Sequence, residues 1–181
     1  MVMFVFIGAA RSVWAVDDEG WGLESKAGRF FYVTRGNAVW GHKFGYFKDP
    51  VDCSVDTLWL LFSAADQKVT EFEGKNVNIV FDVDGQEYKI TVPLLSTGTI
   101  GYTYVMTFTN HQADAALLEA LKEGKEVVIR ISGPPELTAL LDIPEDSFDL
   151  QGFKETRAAA ADACREEAPK GWQAGPDVAL K

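Results

Sequence analysis

The dipeptide Asp84-Gly85, with alternating apolar and polar residues on both sides, is the strongest local constraint on the fold of this chain. Residues 77–83 precede it and residues 86–92 follow it. Asp-Gly readily adopts the positive φ angles of a type I′ turn, and the period-two alternation of its flanks is typical of half-buried strands. The segment therefore predicts an antiparallel β-hairpin. We expect Pro93 to end its second strand, because proline donates no backbone hydrogen bond.

Other segments carry the same kind of strand pattern, rich in aromatic and β-branched residues. Residues 29–34 and 38–40, separated by Gly36-Asn37, predict a second hairpin. Further strands are predicted over residues 57–62, 102–108 and 126–132, the last ended by Gly133-Pro134-Pro135.

Two segments have helical rather than strand periodicity. Residues 112–123 place Ala and Leu at helical spacing before Gly124, and residues 152–167 are rich in alanine. Residues 136–150 fit either a strand or a helical turn. The pattern as a whole predicts a mainly β (α+β) fold, a small antiparallel β-sandwich or barrel-like sheet with two short helices, the second of them C-terminal.

The two ends of the chain differ from its middle. Residues 1–10 form an apolar run too brief to span a bilayer, and Val13 and Ala15 precede an acidic stretch. This predicts a signal peptide over residues 1–15 and therefore export. Because no Lys or Arg precedes the run, the alternatives are a start further upstream or a buried strand. Residues 16–167 are then one β-rich domain, and the Gly- and Pro-containing residues 168–181 a flexible tail.

The chain has only two cysteines, Cys53 and Cys164, and neither lies in a C-x-x-C pair or near a histidine at metal-ligand spacing. In an oxidising compartment they would form one disulfide that closes a loop of about a hundred residues. The alternative is two buried free thiols in a cytosolic protein.

Charge limits the classes of partner. The chain has 17 Lys and Arg against 27 Asp and Glu, a formal net charge of -10. Nucleic acids and anionic lipid surfaces both attract clustered positive charge, so neither is the expected partner. A run long enough for a transmembrane segment is absent from the sequence after the predicted leader.

No motif for catalysis, metal binding or a cofactor stands out. His42 and His111 are the only histidines, and both are expected to be surface or hydrogen-bonded side chains. Asp82-x-Asp84 resembles the start of a calcium loop, but Pro93 stands where that loop needs its glutamate. We therefore predict neither a metal nor a cofactor. A carboxylate pair remains open, as does a Cys53 nucleophile with a histidine base.

Residues 41–52 mix Gly, Lys, Asp and Pro with aromatic residues, which predicts a surface loop anchored by aromatics. Exposed loops carry much of binding, and aromatic side chains offer large contact area at low entropic cost. We therefore expect a binding surface formed by Trp40, His42, Phe44, Tyr46 and Phe47. The alternative is that these aromatics fill the core.

Three segments also carry a family resemblance. They are Trp21-Gly22-Leu23-Glu24, residues 114–124 ahead of a strand, and residues 147–153 leading into the alanine-rich helix. In this order they resemble secreted proteins of the invasion-associated locus B family, over about half of the chain. The family's early cysteine after the first Trp is missing, and so is its mid-chain Gly-Cys, because Gly101 is followed by Tyr102. The chain therefore departs from the family's disulfide pattern. The resemblance implies a small bacterial periplasmic β-sandwich without a settled activity, so no catalytic residue is carried over.

Together these observations predict a periplasmic or secreted, non-enzymatic protein that binds another protein or a component of the cell envelope. One alternative is an envelope hydrolase that uses a carboxylate pair or a cysteine nucleophile. The other is a structural accessory domain of an envelope complex.

Overall fold

A computed structural model describes residues 20–168 of the 181. Within this range nine strands form one antiparallel sheet, in the order β1-β2-β3-β4-β7-β6-β5-β8-β9. The strands are β1 Gly22–Lys26, β2 Arg29–Arg35, β3 Lys43–Asp49, β4 Asp52–Ala64, β5 Asn76–Val83, β6 Gln86–Ile100, β7 Thr103–Phe108, β8 Glu126–Gly133 and β9 Glu145–Asp149. The helices are the 3₁₀ helix Gln67–Phe72, α1 Ala115–Glu123, α2 Pro135–Thr138 and α3 Phe153–Glu167. The predicted fold class, mainly β with a C-terminal helix, is confirmed.

The hairpin at Asp84-Gly85 is confirmed in register and in turn geometry. It joins β5 to β6, and both turn residues have positive φ, 49° for Asp84 and 93° for Gly85. The Asp82 carboxylate accepts a hydrogen bond from the Gly85 N–H at 2.8 Å, which closes the turn. These residues are thus explained by turn chemistry.

The prediction that Pro93 ends the second strand was wrong. β6 continues to Ile100, pairing with β5 up to Pro93 and with β7 from Leu94 onwards. The Leu94 N–H donates to the Lys75 carbonyl at 3.0 Å, so the preceding Pro93 nitrogen faces away from β5. No ladder hydrogen bond is lost there, and the long strand β6 joins the two halves of the sheet.

The hairpin predicted over residues 29–40 was only half right. β2 forms as expected, but it pairs with β1 and β3, not with residues 38–40. The predicted surface loop over residues 41–52 was wrong for the same reason, because Lys43–Asp49 is a strand between β2 and β4. Gly45 and Lys48 look like loop residues in the sequence. In the fold Gly45 packs directly on the β2 backbone, and Lys48 is buried against a carboxylate of β4.

Both predicted helices are present. Asp114 caps α1, accepting a hydrogen bond from the Ala116 N–H at 2.7 Å. Residues 136–150, which were ambiguous, contain most of the one-turn helix α2 and all of β9. α3 lies across β2, β3 and β4 and buries Phe153, Ala160 and Cys164 against them.

The predicted disulfide is confirmed. Cys53 of β4 and Cys164 of α3 are bonded, with their Cα atoms 5.7 Å apart and 111 positions between them in sequence. The bond ties the last helix to the sheet.

Residues 1–15, the predicted signal peptide, lie outside the described residues, as does the predicted tail after Ala168. None of the helices within residues 20–168 is long and apolar enough to cross a membrane.

Candidate functional site

Of the five residues expected to form a binding surface, only Trp40 is exposed, with 79% of its surface accessible. Phe44 and Tyr46 point from β3 into the core. 

 The Tyr46 ring lies against the Phe153 ring, with ring centroids 6.3 Å apart, and the Trp21 ring lies against both Phe44 and Phe153. The expectation that these side chains line an exposed binding loop was therefore wrong.

Phe47 and His42 are also withdrawn from solvent. Phe47 lies on the opposite face of β3 and packs on Phe31, with the ring centroids 5.1 Å apart. His42 is fully buried, which fits the expectation of a hydrogen-bonded histidine. Phe47 lies on the other face from Phe44 and Tyr46 because successive side chains of a strand point to opposite sides of the sheet.

The buried partner of His42 is Asp146 of β9, with His42 Nδ1 3.0 Å from Asp146 Oδ2. The same carboxylate accepts hydrogen bonds from the N–H groups of Ala38 and Val39 at 2.8 and 3.0 Å. Burial lowers the pKa of His42, although the Asp146 charge opposes this effect. The pair therefore holds the β2–β3 connection against β9, which is a structural role.

Trp40 lines a cleft with a volume of about 970 Å³. Its lining includes Trp21, Arg35, Asn37, Asp149 and Gln151. The Arg35 guanidinium lies over the Trp40 ring, 5.3 Å from the ring centroid. The cleft thus combines an exposed aromatic surface with several hydrogen-bonding groups.

A buried ionic cluster lies under α3 and was not predicted. Asp56 of β4 accepts a hydrogen bond from Tyr32 at 2.6 Å and contacts Lys48 Nζ at 2.7 Å. Arg157 of α3 donates two more hydrogen bonds to Asp56, at 3.1 and 2.6 Å. Burial by itself raises the pKa of Asp56, but the hydrogen bonds from Arg157, Lys48 and Tyr32 outweigh it and lower that pKa. The carboxylate is therefore held in its charged form.

A second cleft, of about 400 Å³, opens above this cluster between α3 and the strands β3 and β4. Its basic lining residues are Lys48, Lys122, Lys154, Arg157 and Arg165, joined by Cys53, Ser54 and two alanines of α3. The sequence does contain a signal for it. Lys154, Arg157, Ala158, Ala161 and Arg165 recur at intervals of three and four residues, which puts them on one face of a helix.

An envelope hydrolase would need a free cysteine or a pair of carboxylates in a cleft. Cys53 is bonded to Cys164, so the proposed cysteine nucleophile has no thiol. Neither the Trp40 cleft nor the basic cleft brings two acidic side chains together. Within residues 20–168, no three His, Cys, Asp or Glu side chains lie close enough to hold a metal ion.

Comparison of the chain with protein-family models, with curated proteins and with solved structures found no match. The resemblance to the invasion-associated locus B family therefore stays a prediction from sequence.

Proposed function

We propose that this protein is a non-enzymatic binding protein outside the cytoplasm, and that it holds a glycan-like component of the cell envelope in the Trp40 cleft. The observation that carries the proposal is the exposure of Trp40, 79% accessible at the rim of a cleft large enough for a ligand. Ligand clefts of this size combine apolar or aromatic surfaces with a few placed polar groups.

The aromatic part of the cleft suits the apolar face of a sugar ring. Tryptophan offers a wide, rigid surface whose immobilisation costs little conformational entropy. Arg35 lies against one side of the Trp40 ring, which limits the orientations of the indole before any ligand arrives. A pre-oriented ring favours binding because less entropy is lost on association.

The polar part of the cleft suits hydroxyl groups. The Asn37 side-chain amide donates to Ser147 Oγ at 2.9 Å, so its position is set by β9. The Trp21 indole N–H donates to the Asp149 carbonyl at 2.7 Å, which fixes another wall of the cleft. Polar groups held in this way provide specificity in a ligand site.

The location outside the cytoplasm is supported by the disulfide, since such bonds persist mainly in oxidising compartments. The predicted leader over residues 1–15 and the resemblance to a family of secreted proteins support the same location.

The test is calorimetric titration of residues 16–181 with soluble oligosaccharides released from purified cell envelope. We expect binding by the unaltered protein and a loss of affinity of about tenfold or more, 1.4 kcal/mol, in Trp40→Ala. Tyr102→Ala is the matched control, because Tyr102 is a fully exposed aromatic that does not line the cleft.

Two outcomes would contradict the proposal. One is equal binding by Trp40→Ala and the unaltered protein. The other is no oligosaccharide binding together with Trp40-dependent crosslinking to a protein, which would make the cleft a protein interface, where Trp and Arg are also enriched.

A further inference from the structure

We infer that the basic cleft between α3 and the strands β3 and β4 is a binding site for a phosphate monoester. It shares no lining residue with the Trp40 cleft, so the inference does not depend on the function proposed above.

The lining of the basic cleft has the opposite charge to the chain as a whole. The chain carries 27 acidic and 17 basic residues, yet five basic side chains and no acidic one line this cleft. Asp52, which precedes the lining residue Cys53, accepts hydrogen bonds from the Ser54 N–H at 2.9 Å and from the Ser54 hydroxyl at 2.5 Å. A concave surface of one charge sign concentrates ligands of the opposite sign.

Two basic side chains at the floor of the cleft contact the same carboxylate. Lys48 and Arg157 both contact Asp56, and the Lys48 and Asp56 side chains are only 3% and 1% exposed. Both carboxylate oxygens are occupied, Oδ1 by Lys48 and Tyr32 and Oδ2 by Arg157. Two positive charges therefore contact one carboxylate in a partly desolvated place, and the other acids that interact with them, Asp52 and Glu119, lie outside the cleft lining. The attraction of these cations for a ligand anion is strengthened where water is excluded.

Three of the basic lining residues, Lys122, Lys154 and Arg165, do not contact Asp56 and form what we call the rim of the cleft. Lys122 contacts Glu119 at 2.6 Å and Arg165 contacts Asp162, each within its own helix and with an exposed acidic partner. Such surface pairs contribute little to stability, so exchanging them for a ligand costs little. The charge of Lys154 contributes to lowering the pKa of the exposed Glu119.

The volume and the lining of the cleft limit the chemical class of its ligand. About 400 Å³ far exceeds the roughly 30 Å³ that one water occupies in the liquid, so the cleft admits more than a single small ion. Ala158, Ala161 and the disulfide at Cys53 give it an apolar wall. A phosphate monoester combines a compact, near-dianionic head, which suits several Lys and Arg donors, with a less polar body.

The test uses glycerol 3-phosphate as the soluble probe and vesicles containing phosphatidic acid as the membrane probe, with inorganic phosphate as the minimal anion. The rim variant is Lys122→Gln/Lys154→Gln/Arg165→Gln, which leaves the buried cluster at Asp56 intact. The matched control is Lys26→Gln/Lys68→Gln/Lys89→Gln, which changes the net charge equally at exposed positions outside the cleft.

We expect calorimetry to show binding of glycerol 3-phosphate that weakens at least about tenfold in the rim variant and changes less than about twofold in the control. Raising the salt concentration should weaken binding, because exposed charges are screened. Binding of vesicles but not of glycerol 3-phosphate would assign the site to a lipid headgroup. No binding to any probe by the unaltered protein, or equal weakening in both variants, would overturn the inference. Loss of oligosaccharide binding in Trp40→Ala bears on the other cleft only.

Discussion

Reducing the Cys53–Cys164 disulfide should lower the free energy of unfolding by about 2 to 4 kcal/mol. The bond spans 111 positions, and for a loop of about 100 residues the chain-entropy model allows up to about 4.7 kcal/mol, an upper limit that real bonds seldom reach. α3 depends on this bond because its buried residues include only one large side chain, Phe153. The hydrophobic contribution of the helix is accordingly small.

The assay is urea denaturation followed by circular dichroism, with and without a reducing agent. Reduction keeps both sulfur atoms in place, so it tests the covalent link without removing core volume. The double variant Cys53→Ala/Cys164→Ala should lose slightly more, since Cys164 is fully buried and its sulfur fills core space. The m-value should rise on reduction, because the unlinked denatured chain exposes more surface.

An unchanged urea midpoint after complete reduction, verified by thiol labelling, would refute this reasoning. It would mean that side-chain packing and the Asp56–Arg157 contact hold α3 on the sheet without the bond.

Three further predictions concern core geometry and acid stability. Gly45→Ala should destabilise the protein by about 2 kcal/mol or more, because the added methyl group would overlap the Tyr32 carbonyl oxygen. Its control is Gly98→Ala, which has open space around it and should change stability by less than about 0.5 kcal/mol in the same urea assay. The pKa of His42 is lowered by burial, so the unfolded state binds the proton more readily and stability should fall as the pH drops below about 6.5. The pKa of Asp56 is also lowered, so its contribution to the free energy of unfolding is present above about pH 3.8 and should be lost at lower pH. Urea midpoints that stay constant from pH 7 to 3 would contradict the predictions for His42 and for Asp56.

The elements predicted correctly are those with a local cause. Asp84-Gly85 forms its turn because those two residues tolerate positive φ wherever the chain places them. α1 begins just after Asp114, whose side chain caps nearby N–H groups in the same segment. The disulfide could be predicted from the number of cysteines, since two cysteines allow only one intramolecular pairing.

The binding residues were predicted less well, because exposure is not a local property. Phe44 and Tyr46 lie in a segment with the composition of a loop, yet the neighbouring strands β2 and β4 and the covering helix α3 bury them. Trp40 carries the same kind of side chain and stays exposed in the connection between β2 and β3, whereas His42 of the same connection is buried against Asp146 of β9.

The amino-acid pattern alone was enough for the β-rich class, the central hairpin, the two main helices and the single disulfide, because each depends on spacing within a segment or on residue type. Only the tertiary structure decided which charges meet. Asp56 and Arg157 are 101 positions apart, and His42 and Asp146 are 104 apart. A buried charge is tolerated only beside a partner, and that partner is chosen by how the sheet and α3 pack, which no local pattern encodes. The basic cleft arises in the same way, from residues of β3, β4, α1 and α3 that are brought together by the fold.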